Sequence, residues 1–260
     1  MLLEVGYKEY KVEIDGIQLF FKCHFNPLAD EAVLFIHGLA CSSTSFRNLF
    51  DAEYFPGKSL LLVDLAGFGN SSKPADFSYT MEEQAGLLTK LLNILPKWKL
   101  HIAAHSMGNA IGLLLDDSIL SRVESYSNVE GNMISEDCGL LSRGIAGISF
   151  EEYRDTLFPI QLAEFNGHGQ LEFSKSSPVA IYKSASSLVH WSDNGQLLER
   201  FLKRNCRKSY FYGEENKEMV ILEKLKGIPQ IMITDSGHSM TTENPREFYS
   251  KLSDFIYAKD

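Results

Sequence analysis

The chain has 260 residues, 44% of them hydrophobic and 23% charged, which is the balance of an ordinary globular protein and excludes disordered, collagen-like and coiled-coil chains. Its length suits one large α/β domain with room for an insertion. A formal charge of −9 repels phosphate backbones and argues against a nucleic-acid partner.

Taken in chain order, the first elements alternate. Tyr7–Ile14 and Ile17–Phe25 flank Asp15-Gly16, a two-residue turn signal for a β-hairpin. Short apolar runs follow at Ala32–Ile36, Leu60–Val63, Leu100–Ala104 and Val123–Val129, the pattern of strands buried on both faces of a parallel sheet. Thr80-Met81-Glu82-Glu83 is a capping box that predicts a helix reaching about Leu95, with Met81, Ala85, Leu88, Leu92 and Leu95 on one apolar face. A helix-like run covers Asn109–Asp116. Near the end, Ser209–Tyr212 and Gln230–Thr234 read as strands around a helix from about Asn216 to Lys226, and Asn244-Pro245 opens a final helix. This strand–helix rhythm predicts a mostly parallel central sheet with helices on both faces. The basic residues Arg200, Lys203, Arg204, Arg207 and Lys208 suggest a solvated helix face.

The segment 132–195 breaks the rhythm. It shows no strand pattern and holds Phe150, Tyr153, Phe158, Phe165, Phe173, Tyr182 and Trp191, with eight acidic residues, counting Asp193, against four basic. Linkers lack aromatics, so the segment reads as an inserted helical lid over a core made of residues 1–131 and 196–260. The cysteines at 23, 41, 138 and 206 match no metal or redox spacing and read as small buried hydrophobes. Residues 1–10 lack the apolar centre of an export signal, and no run approaches about 18 apolar residues. A cytoplasmic protein without a membrane span is the expectation.

Chemistry enters at Ala104-His105-Ser106-Met107-Gly108, a small-x-Ser-x-Gly string between an apolar strand and a helix-like run. Such a nucleophile elbow needs small residues at −2 and +2 so that strand and helix can pack behind the serine. Gly108 meets this, and Ala104 is a mild departure. His37-Gly38-Leu39 follows an apolar strand, Asp64-Leu65-Ala66-Gly67-Phe68-Gly69-Asn70-Ser71 precedes Lys73-Pro74, and Gly237-His238 follows the last strand. Together these markers resemble the α/β-hydrolase fold superfamily over nearly the whole chain.

That resemblance implies roles. Ser106 would be the nucleophile, His238 its base, and the backbone N–H groups of Leu39 and Met107 the oxyanion donors. The acid is less settled. Where the family usually has Asp after the penultimate strand, this chain has Asn216, in Gly213-Glu214-Glu215-Asn216. Glu130, leaving the strand after the elbow into Gly131, is the preferred acid, a position used by the haloalkane dehalogenases; Glu214 and Glu215 are the alternatives. His37, His105 and Asp64 read as structural, and His168 and His190 as surface or packing residues. The expected function is a serine hydrolase that cleaves a carboxylic ester through an acyl-enzyme, without metal or organic cofactor. Its small-molecule substrate would carry an apolar acyl group. A small-molecule-binding or signalling relative with slow turnover, and a C–C bond hydrolase or peptidase using the same residues, are the alternatives. Oligomeric state is not legible.

Overall fold

The computed structural model describes residues 3–51, 53–168 and 171–258. Strands β1 (Gly6–Ile14) and β2 (Ile17–Phe25) form the expected hairpin. Its turn residues Asp15 (φ 53°) and Gly16 (φ 77°) both take the left-handed conformation that a tight turn between twisted strands requires. The next strands are β3 (Glu31–Ile36), β4 (Ser59–Asp64), β5 (Lys99–His105), β6 (Val123–Val129), β7 (Arg207–Gly213) and β8 (Gln230–Ile233). They join one eight-stranded sheet in the order β1-β2-β4-β3-β5-β6-β7-β8. The pairs β1–β2 and β2–β4 are antiparallel and the rest parallel.

The unbroken apolar runs are explained by this sheet being covered twice. Leu34, Ile36, Leu61 and Val63 pack on one face with Leu88, Ile111 and Phe201. Val33, Phe35, Leu60 and Leu62 point the other way, onto Phe46, Phe248, Tyr249 and Leu252. The helix Met81–Ile94 starts where the capping box places it, the Thr80 side chain accepting from the Glu83 N–H. The final helix, Pro245–Tyr257, has Asn244 at its N-cap accepting from the Glu247 N–H.

Two readings fail. The helix expected over 216–226 is reduced to Ile221–Lys224, because residues Glu214–Asn216 form a tight 3₁₀ turn that directs the Asn216 side chain onto Glu130. The basic run is not one helix face. The helix Gln196–Lys203 stops before Arg204, and Arg207 already lies in β7. Arg204 donates to the Leu113 carbonyl, Arg207 to those of Phe255, Ile256 and Ala258, and Lys208 to those of Leu202 and Arg204. These cations satisfy carbonyls at helix C-termini, where the helix dipole favours positive charge.

Among the described residues, 132–195 contains no strand. Its main helices are Gly139–Ala146, Phe158–Phe165 and Pro178–Asp193. Phe150, Tyr153, Phe158, Phe173 and Tyr182 form a chain of ring contacts inside it, whereas Phe165 is exposed. Polar contacts tie the segment to the sheet's loops: Glu172 N–H to the Ala40 carbonyl, Ser177 N–H to that of Gly67, and the Ser184 hydroxyl to that of Tyr79. No helix among the described residues is long and apolar enough to cross a membrane.

Candidate active site

Ser106 sits between β5 and the helix Met107–Leu113 with φ 52° and ψ −124°, a conformation that a non-glycine residue adopts only when its surroundings enforce it. The enforcement is visible in Gly108. A Cβ there would lie 2.4 Å from the Ile36 carbonyl oxygen and 2.7 Å from that of His37, so the helix presses directly on the end of β3. Gly108→Ala is expected to cost about 3 kcal/mol through this overlap. An unchanged urea midpoint would show that the contact does not matter.

The histidines around the elbow divide by environment. His37 is buried; its Nδ1 donates to the Gly38 carbonyl and its Nε2 accepts from the Leu65 N–H, which fixes one neutral tautomer. Burial holds its pKa below the ordinary value. His105 is buried too and donates through Nε2 to the His238 carbonyl at 2.9 Å. Burial, then the neighbouring His238 and His37, keep it neutral. Asp64 accepts from the Ser43 and Asn70 N–H groups at 2.7 Å each, shaping the loop after β4. All three therefore serve the architecture, as the sequence suggested.

His238 differs. Its side chain is about half exposed (51%), and Nδ1 lies 2.7 Å from Oε2 of Glu130, whose side chain is only 1% exposed. A carboxylate acceptor fixes the proton on Nδ1 and leaves Nε2 with the lone pair. Glu130 follows β6 with φ 40°. Its Oε1 accepts from the Gly213 N–H at 2.8 Å, and both oxygens lie 2.9 Å from Nδ2 of Asn216. Burial pushes this carboxyl's pKa up, but the His238 hydrogen bond and charge, Asn216 and the Gly213 amide outweigh it, and it ends below the ordinary value. The carboxylate is thus held ionised in a buried position.

Asn216, read from the sequence as a departure, donates to the Glu130 carboxylate. The missed signal was the pairing itself: an amide at one strand end and a carboxylate at the adjacent one. Glu214 and Glu215 are engaged elsewhere. Glu214 accepts from the Asp235 N–H at 3.2 Å, and the Glu215 carboxylate lies against Gly237, 2.7 Å from where a Cβ would be. Gly213 brings the two loops into register, since a Cβ on it would lie 2.3 Å from the Gly237 carbonyl oxygen.

Ser106, His238 and Leu39 line one cavity of about 220 Å³, together with Asn132, Asp137, Cys138, Gly139, Leu141, Ser142 and Leu188. The sequence did not single out Asn132, Asp137 or Ser142. They belong to a segment without periodic pattern, and only the folded chain brings them over the elbow. Among the described residues the backbone N–H of Leu39 has no hydrogen-bond acceptor. The nearby thiols are poor nucleophiles: burial pushes Cys41 up to about 12 and raises Cys138 as well. A larger groove of about 470 Å³, lined by Val5, Phe25, Tyr54 and Phe55 among others, lies on the hairpin side and shares no lining residue with this cavity.

Residues 31–123 match the family model described as alpha/beta hydrolase fold. A probable lysophospholipase of Arabidopsis thaliana, BODYGUARD 3, is 40% identical over 93 residues, covering 34% of this chain and 18% of that protein. The match thus spans under a fifth of that relative's length. Among solved structures, an N-acyl homoserine lactonase complexed with N-butanoyl homoserine superposes with a TM-score of 0.73 at 18% identity, covering 97% of this chain and 99% of that one. A thermophilic esterase from Thermogutta terrifontis, malate bound, gives 0.72 at 19% identity over 96% and 98%.

Proposed function

For a chain of the α/β-hydrolase fold superfamily, we propose a serine hydrolase that cleaves a carboxylic ester or a similar acyl substrate. The observation that carries the proposal is the 2.7 Å hydrogen bond from His238 to the buried Glu130, on the cavity that Ser106 also lines. His238 Nε2 takes the Ser106 hydroxyl proton as Oγ attacks the carbonyl carbon, and the imidazolium that forms is stabilised by Glu130. The N–H groups of Leu39 and Met107 hold the developing oxyanion; each such donor contributes about 3 kcal/mol in comparable sites. His238 returns the proton to the leaving oxygen, and water then hydrolyses the acyl-enzyme with His238 as base again. In this reading residues 132–195 are a lid, and the cavity bounds what it admits. At about 220 Å³ the cavity lies below the ~300–1,000 Å³ of common small-molecule sites, which favours a short group beside Ser106.

A fluorophosphonate probe tests the proposal. Labelling at Ser106 together with turnover of short-chain esters supports it. Labelling without turnover across a broad ester panel would favour the binding-protein reading.

Asn216→Asp supplies a separate test. A second carboxylate 2.9 Å from Glu130 opposes its ionisation, so the pair's pKa rises. The acid limb of the kcat profile should move up by about one unit or more, activity being lost at a higher pH as the pH falls. An unmoved limb in a pH–rate series would mean that a charge at position 216 is not coupled to the Glu130–His238 pair.

A further inference from the structure

Asp137 lies in the turn Ser135–Cys138, just beyond the exit of β6, and lines the cavity of Ser106 and His238. Its carboxylate is held firmly: Oδ2 accepts from the N–H groups of Met133 at 2.8 Å and Ile134 at 3.0 Å. Its own carbonyl accepts from Nδ2 of Asn132 at 2.8 Å. Oδ1, by contrast, has no hydrogen-bond partner among the described residues. A fixed carboxylate oxygen without a donor, on the wall of a site, is a preformed acceptor.

The surroundings say what kind of donor fits. Among the described residues no Lys or Arg lines the cavity. The guanidinium of Arg143, on the helix that follows the turn, is committed to Asp193 and Ser135. The groups around Asp137 are Glu136 and Cys138 on its own turn, Glu130 at the end of β6, Tyr210 on β7, and His238 across the cavity. Two of these are carboxylates that oppose its charge. Leu39, Leu141 and Leu188 supply the apolar remainder of the wall.

Resting on the serine-hydrolase reading, we infer that Asp137 selects small substrates with a protonated amine a few bonds from the scissile carbonyl. The apolar stem lies along the leucines, and the ammonium N–H donates to Asp137 Oδ1. This refines the expectation of an apolar acyl group. The carboxyl's acidity agrees with the geometry. Burial raises its pKa, the Met133 and Ile134 amides lower it, and the Glu136 and Glu130 charges raise it again, to about 6. A cation entering the cavity relieves both the burial and the like-charge repulsion.

The test uses two isosteric pairs, because the amine could sit on either side of the ester. One pair is 2-(dimethylamino)ethyl butanoate against 3-methylbutyl butanoate. The other is methyl 3-(dimethylamino)propanoate against methyl 4-methylpentanoate. The readout is the ratio of kcat/KM, cationic over neutral, each corrected for its rate of alkaline hydrolysis. The wild-type ratio should be about tenfold in at least one pair, the size of one charge-assisted hydrogen bond. It should rise as pH climbs through about 6 and fall to near one in Asp137→Asn, whose amide oxygen can still accept from Met133 and Ile134. Should that variant fail to fold, the wild-type pH dependence decides alone.

Turnover of all four esters with a ratio near one, or a ratio that survives Asp137→Asn, overturns the inference and leaves the hydrolase reading standing. If no ester is turned over, calorimetry on Ser106→Ala with the same four esters separates the two ideas. Tighter binding of a cationic member, lost on adding Asp137→Asn, keeps the role of Asp137 and removes the hydrolase reading. No cationic preference removes both.

Discussion

Ser106→Ala should lower ester turnover by a factor on the order of 10⁶ and abolish fluorophosphonate labelling, while the fold survives. The size follows from the elbow. The strained backbone at φ 52° places one hydroxyl against the cavity, and alanine keeps the turn while removing the attacking oxygen. Residual rate should come only from substrate binding and the N–H groups of Leu39 and Met107, which is the remainder left in serine hydrolases. The checks are kcat/KM on a short-chain ester and an unchanged thermal midpoint. Substantial turnover in the alanine variant would transfer the chemistry to another group.

Glu130→Gln is the second large effect, about 10⁴-fold in kcat, with KM changed little. The carboxylate accepts from three groups, His238 Nδ1, Asn216 Nδ2 and the Gly213 N–H. A glutamine presents one oxygen and one NH₂ to the same donors. One donor then faces another, and His238 loses the acceptor that fixes its tautomer. The imidazolium of the transition state also loses its counter-charge. Stability changes in the same experiment. Glu130's folded pKa lies below its unfolded value, so its stabilisation is full above the unfolded pKa and is lost as pH falls through the folded pKa. The difference in urea midpoint between wild type and Glu130→Gln should therefore shrink as the pH is lowered below about 4. A Glu130→Gln enzyme within tenfold of wild type, with Glu214 or Glu215 variants collapsed, would reassign the acid.

How much of this was legible beforehand depends on how local each signal is. The Asp15-Gly16 hairpin, the Thr80 and Asn244 caps and the strand before Ser106 are written in a few adjacent residues, and the structure has them where the sequence places them. What escaped depends on distant partners. Asn216 and Glu130 are 86 residues apart, so the amide looked like a missing acid. Arg204 and Arg207 fall at helical spacing, but their partners are carbonyls of helices elsewhere in the chain. Within 132–195 even amphipathicity misleads. In the helix Phe158–Phe165, Gln161 is buried while Ile160, Leu162 and Phe165 are exposed. Asp137 had no motif at all, and its place beside Ser106 is a property of the fold alone.

The two crowded glycines on the rim bear on how this protein could change. At Gly108 and Gly213 one segment's backbone rests on another's, a helix on the end of β3 and a strand end on the loop at Gly237, with no space for even a methyl group. The parts that carry Ser106, Glu130 and His238 are therefore geared together, and substitutions there disturb several at once. The turn with Asp137 and the helices after it meet the sheet's loops through a few backbone hydrogen bonds, Glu172 N–H to Ala40 and Ser177 N–H to Gly67 among them, and otherwise through side chains, which can be exchanged singly. In a laboratory selection for new substrates, surviving variants should accumulate between residues 132 and 195 and be purged from the rim. The rim is inherited as a block, and the segment over it is what remains free to drift.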